Sequence, residues 1–129
     1  MSVARRSPRA ESGSATVLTV ASIGAVTVAL AGVLVVVATV RDVHRARAAA
    51  DLAALAAAAA LVNGGGVDCH GGASVAAANG AVLSRCESSA DGSVLVAVAV
   101  ERPWPVGWVG LPARVSARAR AGLVEAAPP

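Results

Sequence analysis

The chain has 129 residues, 56% of them hydrophobic, with two tryptophans and no Phe or Tyr. Its apolar mass is mainly alanine and valine, which excludes a large globular core and leaves room for one small domain with appendages. Net charge is +3 and every basic residue is an arginine; these are scattered without interleaved aromatics, which argues against a nucleic-acid surface.

Residues 1–13 carry Arg5, Arg6 and Arg9 and read as a short cytoplasmic leader or tail. The stretch 15–40 then runs without a charge. As a helix it is about 39 Å long, at about 1.5 Å per residue. A bilayer core of about 30 Å needs roughly 20 residues, whereas a secretory h-region has about 7–15. The segment is therefore expected to be a single transmembrane span at about 15–40. Downstream, Ala46-Arg47-Ala48 has the small-x-small form of a signal-peptidase site, so a cleaved, secreted product is the competing reading. Arginines are balanced across the span, with Arg41, Arg45 and Arg47 on the far side, so they do not set its orientation. Cys69 and Cys86 favour one orientation: read as a disulfide, the alternative being two buried free thiols in a cytosolic domain, they belong on the oxidising side. That places the N-terminus in the cytoplasm and the C-terminal part outside. Ala21, Ala25 and Ala29, with Gly24 and Gly32, give the span small faces suited to close helix contact in lipid.

No break follows Arg41. Residues 48–62 lack Gly, Pro and Asn, and Asn63 to Gly66 is a stop signal, so one helix is expected over 14–63. In its outer part Arg45, Ala48, Leu52, Leu55, Ala59 and Val62 form a stripe suited to packing on a sheet or on a neighbouring helix. Asp51, Leu52 and Leu55 are the candidate docking residues. Asp51 also stands four residues after Arg47, the spacing of a helical ion pair.

Residues 64–125 are expected to form a small extracytoplasmic domain, with 126–129 as a tail. A short helix fits Ala73 to Asn79, stopped at Gly80, with His70 in the glycine-rich loop before it. A strand follows, ending near Cys86; Asp91-Gly92 marks a turn. "SVLVAVAVE" is the clearest strand, with Val94, Val96, Val98 and Val100 on one face. Pro103, Pro105 and Pro112 interrupt the next segment, whose Trp104 and Trp108 suit either a membrane surface or a cover over the core. "ARVSARARA" alternates again, Val115, Ala117 and Ala119 inward and Arg114, Ser116, Arg118 and Arg120 outward. The expected fold class is α+β: a long N-terminal helix packed by a short helix and about three antiparallel strands. A disulfide between Cys69 and Cys86 would close a loop of about 16 residues, worth roughly 3 kcal/mol.

The residues present no catalytic constellation. His44 and His70 lack a matched carboxylate or nucleophile, Ser84, Ser88 and Ser89 lack a base, and Gly64 to Gly66 end a helix instead of opening one. His70 beside Cys69 is not metal-ligand spacing. No enzyme activity, cofactor, metal or small-molecule substrate is expected.

The arginine-bearing leader, "ESGSATVLTV" and the helix running into "HRARAAADLAALAAAAAL" together resemble the TadE-like minor pseudopilins of tight-adherence (Flp, type IVc) pilus systems, in their short actinobacterial form. The resemblance covers roughly 10–62 and is most specific at Ala49 to Ala56, around Asp51. It implies a pilin-like fold, a membrane-inserted structural subunit, and packing of the long helix with other pilin-like or Tad secretion subunits. It also implies a leader-peptidase site at Gly13, with Ser14 as the new N-terminus. Pilins carry Glu five residues into the mature chain; this chain has Leu18, which fits an accessory or initiating subunit held in lipid better than a major pilin. The alternative is an unrelated single-pass protein presenting a small disulfide-bonded domain to an envelope or wall ligand.

Overall fold

The computed structural model describes residues 12–103, 107 and 110–123. In chain order the elements are α1 (Ser12–Val62), α2 (Cys69–Ala78), β1 (Val82–Ser88), β2 (Ser93–Glu101) and β3 (Arg114–Gly122). The three strands form one antiparallel sheet in the order β1-β2-β3, which is the expected α+β class. The chain divides into two compact units, Met1–Ala38 and Thr39–Pro129.

In the first unit α1 is apolar on every side, and large side chains such as Leu18, Ile23, Val28 and Leu34 are exposed. The helix is long and apolar enough to cross a membrane, with a mean hydropathy of 2.6 in its best window. Its hydroxyls are compatible with lipid because they bond backward within the helix. Thr19 donates to the Ala15 carbonyl, Ser22 to Thr19 and Thr27 to Ile23, at 2.8–2.9 Å.

In the second unit the end of α1 is set by Gly64. Its φ of 73° is open to glycine at little cost, and it lets Gly64 N–H donate to the Leu61 carbonyl and Gly65 N–H to that of Ala60. The chain returns at once: Asp68 N–H donates to the Ala57 carbonyl at 2.9 Å, and the Asp68 carboxylate then accepts from Gly71 N–H, capping α2. This cap corrects the sequence expectation. Helix α2 starts at Cys69 instead of Ala73, so His70 lies in its first turn and not in a loop. Gly72 makes the tight approach possible, since a Cβ there would stand 3.0 Å from the Ala53 carbonyl oxygen.

The alternation read in β2 decides the core. Val94, Val96, Val98 and Val100 are buried and meet Ala46, Ala49, Ala50, Ala53, Ala54 and Ala57 of α1. Each buried valine contributes about 1.5–3 kcal/mol, so four supply much of what so small a core has. In β3 the inward set is Val115, Ala117 and Ala119, as expected, with Ala119 paired to Val96. The register of β1 shifts between Leu83 and Arg85.

Asp91 holds the β1–β2 turn. It accepts from the Ser93 hydroxyl at 2.6 Å and from Ser93 N–H at 3.1 Å. Those bonds, with a smaller pull from Arg120, hold its carboxyl below the ordinary carboxylate value. A depressed pKa stabilises the fold above the unfolded value and loses that contribution as pH falls through the folded one. Acidification below the ordinary carboxylate range is therefore expected to shift the Ser93 amide resonance in NMR, and Asp91→Asn to abolish that titration.

Candidate functional site: the outer part of the long helix

In the second unit the inner face of α1 is made mainly of alanines, with Leu61 half-buried against the core near the helix end. The sheet and α2 together cover the alanines: Ala46, Ala49, Ala53 and Ala57 are 0% exposed, and Gly72 of α2 lies against Ala53 and Ala57. Other large side chains face away, Leu52 at 46%, Leu55 at 61% and Val62 at 69% exposed. The stripe read from the sequence is therefore not the face that meets the sheet. The valines of β2 already supply the bulk of the interface, so mostly methyl-sized partners on α1 let sheet and helix close without voids or strain. Asp51, Leu52 and Leu55, the candidate docking residues, all lie exposed, and Arg47 and Asp51 form no ion pair. Enlarging the buried face is expected to cost far more than trimming the outer one. Ala53→Leu should lower stability by about 2 kcal/mol; Leu55→Ala should stay within about 0.5 kcal/mol. Urea midpoints from pulse proteolysis of the detergent-solubilised chain would measure both.

The disulfide joins Cys69, the first residue of α2, to Cys86 near the middle of β1, with Cα atoms 5.9 Å apart. Gly13 and Ser14 lie exposed in the first turn of α1. Trp104 and Trp108 lie outside the described residues, as do residues 1–11 of the leader and 126–129 of the tail. His44 and His70 are exposed, and among the described residues no three His, Cys, Asp or Glu side chains gather as metal ligands.

Three features escaped the sequence reading. Arg102, whose side chain is only 6% exposed, reaches Asp42 Oδ2 with Nε at 3.1 Å and the Pro112 carbonyl with a terminal nitrogen at 3.0 Å. Arg45 donates to the Asn79 carbonyl at 3.0 Å, placing a cation on the C-terminal end of α2. A groove of about 400 Å³ lies between α1 and β3, lined by Val43, Arg47, Val115, Ser116, Ala117 and Arg118. The only sequence signal for the first was a lone acid two residues past the apolar run. The other two depend on residues tens of positions apart.

Comparison with protein-family models, curated proteins and solved structures finds no match to this chain.

Proposed function

We propose that the chain is a structural, membrane-anchored TadE-like pseudopilin, a non-enzymatic subunit of a Tad-type pilus or secretion apparatus. Its N-terminus lies in the cytoplasm and its disulfide-bonded domain outside. The observation that carries this reading is the division of α1. An apolar first part, exposed all round, continues into an outer part whose alanine face is occupied by its own sheet, while Leu52, Leu55 and Val62 stay uncovered. A helix built only to anchor a domain has no use for leucines on the face its domain leaves open. A helix that packs with other subunits has. The disulfide supports an extracytoplasmic domain, because such a bond is kept in an oxidising compartment.

The test has two parts. Intact mass of the membrane-extracted chain should give the full length or a start at Ser14; a start after Ala48 would remove the anchor and the proposal with it. A photo-crosslinking residue at position 55, in cells carrying the apparatus, should yield an adduct with another long-helix subunit. Absence of any such adduct while the apparatus is assembled would refute subunit packing through this face.

A further inference from the structure

We infer that the free edge of β3 is an acceptor for an extended acidic segment of another protein, added as a fourth strand alongside Arg47 and Arg118. Strand β3 is an outer strand of the sheet, and among the described residues its backbone bonds only to β2. The groove beside it is lined by four consecutive residues, Val115 to Arg118, so residues of both the inward and the outward set border it. Only the open edge of a strand presents both faces in this way. Across the groove stand Val43 and Arg47 of α1. A strand laid there satisfies the unpaired backbone groups of β3 and sets its alternate side chains against Val43 and Val115 on one face.

Charge selects the occupant. On the outer sheet face Arg114 pairs with Glu101 at 2.9 Å, Arg120 with Asp91 at 3.6 Å and Arg85 with Glu87 at 3.5 Å. Arg118 sits opposite Ala97 instead, and neither it nor Arg47 has an ion-pair partner among the described residues. Among the described residues, the two arginines that line the groove are thus left to carboxylates from outside. A second copy of this chain does not fit. Two β3 edges side by side bring Arg114, Arg118 and Arg120 against their own kind, and β1 offers one carboxylate, Glu87, already paired with Arg85, on a strand of irregular register. An accepting edge of this kind serves a pilus subunit and an unrelated membrane protein equally, so its failure and the failure of the pilus reading are separate results.

The probe is an acetylated nine-residue peptide alternating valine with threonine and glutamate, titrated into the ¹⁵N-labelled full chain in detergent micelles. Saturable amide shifts are expected at residues 115–118 and 43–47. Arg47→Gln and Arg118→Gln, both at exposed positions, should each weaken binding roughly fivefold. Lysine in place of the peptide's glutamates should weaken it at least about tenfold, and N-methylation of its edge-facing amides should abolish it. No shift at millimolar peptide, shifts confined to β1, or equal binding of the lysine peptide would overturn the inference. Equal binding of the N-methylated peptide would also overturn it, since attraction to an anionic polymer needs no backbone pairing.

Discussion

Replacing Arg102 with alanine is expected to cost the folded domain about 3 kcal/mol, more than any other single side chain outside the core. The guanidinium is almost fully enclosed and ties two places together: Nε holds Asp42 on α1 at 3.1 Å, and a terminal nitrogen holds the Pro112 carbonyl at 3.0 Å. The backbone N–H of Arg102 adds a third bond, to the Ala113 carbonyl at 3.0 Å, which a side-chain truncation leaves in place. These contacts fix both ends of the segment between β2 and β3 against the helix. Truncation leaves a partly buried carboxylate and a carbonyl without their donor, so the loss exceeds that of the ion pair alone. Two further variants separate burial from pairing. Asp42→Asn retains an oxygen acceptor and should lose less than half as much; Asp42→Leu with Arg102→Leu together should recover part of the loss, because a paired apolar replacement leaves no orphan charge. Pulse proteolysis in urea, on the full chain in detergent, gives all four stabilities on one scale. A change below about 0.5 kcal/mol in Arg102→Ala, the range of an ordinary surface substitution, would show that the clamp is not a structural element.

Legibility in the sequence followed the range of the forces involved. Strand β2 was read to its ends, and β3 with its inward and outward sets, because a period of two in valine and arginine is a local signal that burial then reinforces. The stop of α1 was read from Asn63 to Gly66, where backbone freedom decides. What was misread needed a partner. Which face of an alanine-rich helix is buried depends on what approaches it. The stripe of Leu52 and Leu55 suits a sheet or a neighbouring helix equally well; beside four inward valines the helix turns mainly alanines inward and leaves that stripe open. The start of α2 depends on Asp68, whose capping role appears only once Gly71 turns back on it. Asp42 and Arg102 are separated by 60 positions, and neither carries any local mark of its partner. Of the candidate docking residues, Leu52 and Leu55 stand out by spacing and Asp51 by the resemblance; the structure leaves all three exposed.

Loss of the disulfide is expected to be the second large effect, at about 3 kcal/mol, from opening a loop of sequence separation 17. The direction of the loss follows from what each end holds. Cys86 is half-buried against the core on β1, and Cys69 begins α2, whose buried contacts are small: Gly72 and Ala76. Ten residues of helix with two small buried positions supply little hydrophobic stabilisation of their own. By contrast β2 and β3 share nine paired positions, and β2 carries the four buried valines. Reduction, or Cys69→Ala with Cys86→Ala, should therefore act unevenly. Amides of α2 and β1 are expected to lose exchange protection at least about a hundredfold, the equivalent of roughly 3 kcal/mol, while those of β2 and β3 keep most of theirs. The groove beside β3 then remains formed, and a peptide bound there should be nearly indifferent to reductant. Uniform loss of protection across all three strands would mean that α2 and β1 are integral to one cooperative core, and that the covalent link merely adds to what alanine–valine packing already secures.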